Sequence, residues 1–233
     1  MDGNGRWAEE NGLPRAEGHR EGVKVVKMMV QACLEKKIAV LSLFAFGNDN
    51  WARPAEEVDF LMRLFLIVIE REIKDLCSRG VRVQFIGDRS QLSEALRDQM
   101  TAAEALTINN EALHLNIAMN YSGKWDILQA CKALMTRALD EKIAPSELDE
   151  AGFECFLSTG GLPAPDLLIR TSGEQRLSNF FLWQLAFTEF YFTSMKWPEF
   201  TVEEFEQALT IYSRRERRYG LISKQLSEKS RHV

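Results

Sequence analysis

The sequence lacks the marks of several protein classes. No apolar run approaches the roughly 18 residues that a membrane-spanning helix needs; the longest, LFLIVI at 64–69, is bounded by charge. No basic segment leads into an apolar stretch as in a secretory leader. The four cysteines, Cys33, Cys77, Cys131 and Cys155, form no C-x-x-C pair and have no histidine at metal-ligand spacing. They read as reduced, mostly buried thiols of a cytoplasmic protein. Basic residues are not in excess: 29 Lys and Arg against 34 Asp and Glu leave a net charge of −5. That balance argues against nucleic acid as a partner. Internal repeats, low-complexity tracts and linkers are missing too, so the 233 residues read as one domain, 1–233.

What is present is an alternation of helix and strand patterns. Val23, Val26, Val30 and Leu34 recur at helical spacing within 18–37, and IAVLSLFAF (38–46) has the length and continuous apolarity of a strand covered on both faces. A helix opens at RPAEEV, with Pro54 in its first turn and Glu56 and Glu57 at its positive end, and stops at Gly80. Strands at 81–87, 113–121 and 165–173, and helices at 90–106, 124–141, 150–157 and 201–218, complete the pattern. Hairpin signals are absent. The expectation is a single α/β domain with a mainly parallel central sheet flanked by helices.

In such sheets ligands bind beyond the carboxyl ends of the strands. GNDNWARP, GD, NYSGKWD and RTSGEQRLSN each follow a strand there, and DGNGRW fits the same rim if a strand precedes it. Gly3 and Gly5 let backbone N–H groups converge on an anion, and a helix start behind them adds positive charge. Arg6, Arg15, Arg53, Arg170 and Arg176 supply forked donors for phosphate oxygens. Asp2 and Glu189 would repel a phosphate unless a hard cation such as Mg²⁺ lies between. The pattern points to a metal–diphosphate site. GNGRWA also fits a dinucleotide fingerprint, but the next strand ends beyond the usual ~20-residue spacing of the ribose-binding acid. FLMRLFLIVI (60–69) and FFLWQLAF (180–187) are apolar almost all round, as buried helices are, and beside a diphosphate site they also suit a hydrophobic cleft for a hydrocarbon.

MDGNGRWA, RPAEEV after an N-W pair, RTSGEQRLSNFFLWQ and the late W-P-E-F resemble the cis-prenyltransferases, most of all the bacterial undecaprenyl diphosphate synthases, in the same order along the whole chain. The D-D-x-x-D of the all-trans synthases is absent. The resemblance implies sequential condensation of isopentenyl diphosphate onto farnesyl diphosphate, giving undecaprenyl diphosphate, a lipid-carrier precursor for cell-wall polysaccharides. It makes Asp2 the catalytic aspartate and, with Glu189, a Mg²⁺ ligand. Gly3, Asn4, Gly5 and Arg6, with Arg15 and His19 beside them, would hold the allylic diphosphate. Trp7 and Trp51 would border that site, together with Gly47, Asn48, Asp49 and Arg53. Arg170, Arg176, Leu177 and Ser178 would bind isopentenyl diphosphate. Asn50 matches the position assigned as proton acceptor. A neutral amide is a very poor base, so Asp2, Asp49 or a diphosphate oxygen is the chemically better acceptor, with Asn50 positioning it.

Two departures stand out. The family usually has FSSENW where this chain has FGNDNW at 46–51, which removes a hydroxyl at Gly47 and shortens a carboxylate at Asp49. The family also has a strand before the aspartate, so the expectation is that a first strand lies upstream of Met1. RYG at 218–220 resembles a family R-x-G motif that crosses a homodimer interface. A hydrophobic product implies peripheral contact with the inner membrane face. A noncatalytic subunit of the same fold would lack Asp2, Arg6, Arg170, Arg176 and Glu189, and their presence disfavours that reading.

Overall fold

The computed structural model describes residues 1–141 and 144–215. The RYG motif at 218–220 lies outside the described residues. Seven α-helices and five strands alternate along the described chain: α1 Asn4–Glu10, α2 Arg15–Glu35, β1 Val40–Gly47, α3 Ala55–Ser78, β2 Val81–Ile86, α4 Glu94–Thr107, β3 Leu113–Tyr121, α5 Gly123–Glu141, α6 Glu150–Glu154, β4 Leu167–Arg170, β5 Glu189–Phe192 and α7 Val202–Ser213. The strand read at 113–121 matches β3, and the helix opened by RPAEEV ends at Ser78 as expected.

All pairings among the described strands are parallel, and they form two sheets, ordered β1-β3-β2 and β4-β5. The strand read at 165–173 thus pairs with Glu189–Phe192, a short strand that the sequence reading missed. On one face of the larger sheet Leu43, Val83 and Leu115 pack against Val30 of α2, Leu61 of α3 and Met100 of α4 in the main core. The opposite face carries Ala118 and Tyr121 against Phe180, Phe181 and Leu185. Period-two alternation along β3 sets Leu115 and Ala118 on opposite faces, and Asn120, with φ of 51°, breaks the alternation so that Tyr121 joins Ala118.

The segment 180–187 is not the apolar helix expected; it runs as consecutive turns. Asn179 and Phe181 have φ of 62° and 43°, outside the helical region, so the helix cannot propagate through them. What holds these turns is the carboxylate of Asp126, which is 1% exposed. Its Oδ2 accepts from Tyr121 Oη at 2.8 Å and Gln184 Nε2 at 3.1 Å, and its Oδ1 from Ser158 N at 2.9 Å and Ser158 Oγ at 2.6 Å. Four donors compensate the desolvation of a fully buried charge. Burial and this anion together raise the Tyr121 hydroxyl far above its ordinary pKa.

The four cysteines are free, but only Cys33 is buried, where desolvation pushes its thiol to about 12; Cys155 is exposed, contrary to the mostly buried set expected. Among the described residues no helix is long and apolar enough to cross a membrane.

The start of the chain is locked against α2. A Cβ on Gly18 would lie 1.9 Å from the Asn4 carbonyl oxygen, and one on Gly22 would lie 2.5 Å from Asn4 Oδ1. Gly18→Ala gains about 1 kcal/mol of helix propensity. It meets a backbone oxygen rather than a flexible tip, and such overpacking costs about 1–3 kcal/mol. The expected outcome is net destabilisation, read as a lower urea midpoint at unchanged m-value.

Candidate active site

A cavity of about 750 Å³ lies between the edge of β1 and the edge of β4. Its lining includes the polar side chains of Asp2, Asn4, His19, Arg53, Arg170 and Arg176 and the apolar ones of Met29, Cys33, Leu61, Leu43 and Phe205. Gly47, Asn48, Asp49, Asn50, Leu177 and Ser178 also border it. The rim expected from the sequence is thus assembled from the ends of β1 and β4 and the first residues of the chain.

Asp2 is fixed by both its backbone and its side chain. Its carbonyl accepts from Trp197 N at 3.0 Å and Thr171 Oγ1 at 2.9 Å. Its Oδ2 accepts from Arg170 Nε at 3.0 Å, and Arg170 Nη2 donates to Ser178 Oγ at 3.0 Å. Ahead of it, the Met1 amine donates to the Phe44 carbonyl of β1 at 2.5 Å. Gly3 then turns the chain into α1 with φ of 102°, and a Cβ there would lie 2.1 Å from Ser172 Oγ. Gly5 leaves the space that the Arg15 guanidinium fills, 2.4 Å from where its Cβ would be. The helix behind this turn is only 7 residues long, so the arginines rather than the helix end carry the positive charge.

Each arginine singled out from the sequence is matched by a carboxylate. Glu57 accepts from Arg15 Nε and Arg53 Nη1, both at 3.0 Å, and Arg15 Nη1 also holds Glu9 at 2.7 Å. Glu174 bridges Arg6, at 2.8 Å, and Arg176. The sequence reading missed both collectors, although Glu57 sits in the quoted RPAEEV and Glu174 two residues before Arg176. Burial raises the Glu57 carboxyl, but the Arg15 hydrogen bond and the charges of Arg15, Arg53 and His19 outweigh it and leave it below its usual value. The Arg176 hydrogen bond, with the Arg6 charge, does the same for Glu174.

Three polar atoms around the Asp2–Gly5 turn are buried without a hydrogen-bond partner: Asn4 Oδ1, His19 Nε2 and Ser172 Oγ. His19 Nε2 is 3.5 Å from Glu57 Oε1, too long for a hydrogen bond. Such orphans are costly unless a bound group or water completes them. Asn50 Oδ1 accepts from Gly47 N at 2.9 Å, closing the Asn48–Ala52 turn. Its amide oxygen is therefore engaged, in keeping with a positioning role. Trp7 and Trp51 do not border the cavity; Trp51 packs edge-on to Phe46 and its Nε1 donates to Asn120 Oδ1 at 2.8 Å. Glu189 is not at the cavity either: it opens β5 opposite Leu167, whereas Arg170 pairs with Phe192, and it accepts from Arg215 Nη1 at 2.6 Å.

The family profile described as "Putative undecaprenyl diphosphate synthase" matches residues 1–220. The chain belongs to the undecaprenyl diphosphate synthase family. It is similar to the ditrans,polycis-undecaprenyl-diphosphate synthase ((2E,6E)-farnesyl-diphosphate specific) of Legionella pneumophila (strain Paris), with 59% identity over 96% of this chain and 94% of that protein. The enzyme of the same description from Xanthomonas axonopodis pv. citri is 49% identical over 99% of this chain and 90% of its own. Among solved structures, lavandulyl diphosphate synthase from Lavandula x intermedia, in complex with dimethylallyl diphosphate, superposes with a TM-score of 0.91 at 39% identity, over 94% of this chain and 95% of that one. The solved relative shares the α/β fold of this chain, and the bacterial relatives are by description undecaprenyl-diphosphate synthases specific for (2E,6E)-farnesyl diphosphate.

Burial lowers the His19 pKa below 6.5, with the Arg53 charge adding to the effect against the opposing pull of Glu57. The unfolded chain takes up this proton first, so the stability tied to neutral His19 is complete above pH ~6.5 and is lost as pH falls from there through the lowered folded value. Urea midpoints from pH 7.5 to about 5 should show this decline in the parent chain, and His19→Gln should flatten it.

Proposed function

We propose that the chain condenses isopentenyl diphosphate sequentially onto farnesyl diphosphate, forming cis double bonds, to give undecaprenyl diphosphate. The observation that carries this reading is that Asp2, Arg170, Arg176, Arg53 and His19 line one cavity together with apolar side chains such as Met29, Cys33 and Leu61. In this reading Asn4, Arg6, His19 and Arg53 bind the allylic diphosphate, and Arg170, Arg176 and Ser178 bind isopentenyl diphosphate. The hydrocarbon occupies the part lined by Met29, Cys33 and Leu61, where burial contributes about 0.8 kcal/mol per methylene.

The ion pairs present suit ligand exchange. Arg6, Arg15 and Arg176 are exposed, and pairs of that kind contribute only about 0–1 kcal/mol each. A diphosphate bearing several charges displaces Glu174 or Glu9 at little cost and meets guanidinium groups already held in place. During reaction the allylic C–O bond breaks and its electron pair leaves with the diphosphate. The isopentenyl double bond supplies the new C–C bond, and loss of a proton restores a double bond. Arginines aimed at the leaving oxygens stabilise the charge that develops there. Asp2, Asp49 or a diphosphate oxygen receives the proton, and Asn50 holds the 47–50 turn beside it.

The donor set fits Mg²⁺. Among the described residues no cluster of three acidic, histidine or cysteine side chains forms a protein cage, and Mg²⁺ characteristically binds one or two carboxylates plus substrate phosphates. Asp2 would supply the carboxylate, and Glu189 belongs to this reading only if it exchanges its Arg215 partner for the metal. Bound there, Mg²⁺ would neutralise charge on the diphosphates.

The reading extends to assembly. β1 and β4 are edge strands facing one cavity, so an extended segment running into Met1 would pair with both and complete one continuous sheet. β5 is the other edge of its sheet and carries the exposed Phe192, with exposed Phe187 just before it, which suits a homodimer contact. A cytoplasmic location with peripheral membrane contact for product release fits a long hydrocarbon product.

The test is incubation with labelled isopentenyl diphosphate, farnesyl diphosphate and Mg²⁺, followed by sizing of the product. A long polyprenyl diphosphate is expected; the absence of any product longer than farnesyl diphosphate would overturn the reading. Asp2→Ala should lower turnover by at least about 10²-fold, and Asp2→Asn, which keeps an acceptor for Arg170 Nε, should do the same with an unfolding midpoint closer to that of the parent. Chelation with EDTA should stop turnover, and added Mg²⁺ should restore it.

A further inference from the structure

The segment that presents Ser178 is backbone-strained. Ser178, Asn179 and Phe181 all have positive φ, at 46°, 62° and 43°. Residues other than glycine occupy this region only where their surroundings enforce it. Here the enforcing contact is with the N-terminus of α5. The Asn179 carbonyl accepts from Gly123 N at 2.7 Å, and its side-chain Oδ1 accepts from Lys124 N at 3.0 Å. Asn179 Nδ2 donates to Ser122 Oγ at 2.7 Å, and that oxygen accepts in turn from Trp125 N at 3.3 Å. One asparagine, with the hydroxyl it orients, thus takes up the first three orphan donors of a 19-residue helix.

The approach is also close in space. A Cβ on Gly123 would lie 2.8 Å from Leu182 Cγ and 3.1 Å from the Asn179 carbonyl. From Asn179 a chain of contacts leads into the site: Ser178 Oγ accepts from Arg170 Nη2, and Arg170 Nε holds Asp2 Oδ2.

We propose that Asn179 is a positioning residue for isopentenyl diphosphate, holding Ser178 and the Arg170 fork in place by capping α5 with its main-chain and side-chain oxygens. This rests on the function proposed above. Asparagine is suited to the role because it tolerates the left-handed conformation and offers an acceptor and a donor on one short side chain. Alanine loses both. Aspartate keeps the acceptor toward Lys124 N, and its charge is favoured at a helix N-terminus.

The test uses the full chain with Mg²⁺. Asn179→Ala should raise the KM for isopentenyl diphosphate about tenfold or more, and weaken its equilibrium binding in calorimetry alike, while the KM for farnesyl diphosphate moves by less than about twofold. Asn179→Asp should recover most of the loss. Gly123→Ala, which displaces the same turn without removing a polar group, should reproduce the split and serves where Asn179→Ala fails to fold. Equal changes in both KM values, no change in either, or an aspartate variant as weak as the alanine would overturn the positioning role. A parent chain that binds no isopentenyl diphosphate would overturn the underlying functional reading as well; a binding parent matched by its variants would overturn the role of Asn179 alone.

Discussion

Arg170 Nε reaches Asp2 and its Nη2 reaches Ser178, so one guanidinium ties the first residues of the chain to the end of β4 and to the turn beyond it. The planar fork matters, because a lysine ammonium is a point charge on a flexible stem and does not fix two partners in one plane. Arg170 is also largely buried, with its side chain 11% exposed, so the pair with Asp2 is screened less than the rim pairs. The Asp2 backbone is separately held by Trp197 and Thr171. The carboxylate on which the proposed chemistry depends is thereby placed by contacts from β4 and the Trp197–Glu199 turn rather than by its own short helix.

Charge around the cavity is arranged on the same principle. Arginines gathered without counterions would repel one another. Glu57 and Glu174 relieve this by standing between arginines, and the arginines hold both carboxylates below their usual pKa. Both stay ionised near neutrality, so the site is preorganised but not strongly electropositive, in keeping with the chain's net charge of −5. On the proposed function, a diphosphate, more highly charged than a carboxylate, competes for the same guanidinium groups.

Much of this was legible in the sequence because local rules governed it. β3 reads directly because alternation and flanking turns define it, and α3 because Pro54 and Gly80 bound it. The arginines could be assigned to one rim because parallel topology sends every strand end there. What was not legible depended on long-range contacts. The 180–187 segment has helical composition, yet Asn179 and Phe181 are held left-handed by α5 and by the Asp126 network, which no local pattern announces. β5 is only 4 residues long and rests on β4, so its pairing outweighs a weak local signal. Trp51 looked like a substrate residue from its place beside the motif, but its partner Asn120 is 69 residues away.

The cavity itself sets two demands that cannot be met by one occupant. Its β1 and β4 walls are strand edges, whose N–H and C=O groups need partners; leaving a buried one unmet costs about 1–3 kcal/mol. A hydrocarbon offers none, and two or three unmet groups would offset the gain of about 0.8 kcal/mol per methylene over most of an isoprene unit. The wall formed by Met29 and Cys33 of α2 and Leu61 of α3 has no such requirement, because its backbone bonds are internal to the helices. On the proposed function, the growing chain therefore runs along the helices rather than between the two strand edges. Chain length would then follow from how far the α2–α3 side stays apolar and open, which makes the side chains facing that groove, rather than those at the charged rim, the determinants of product size.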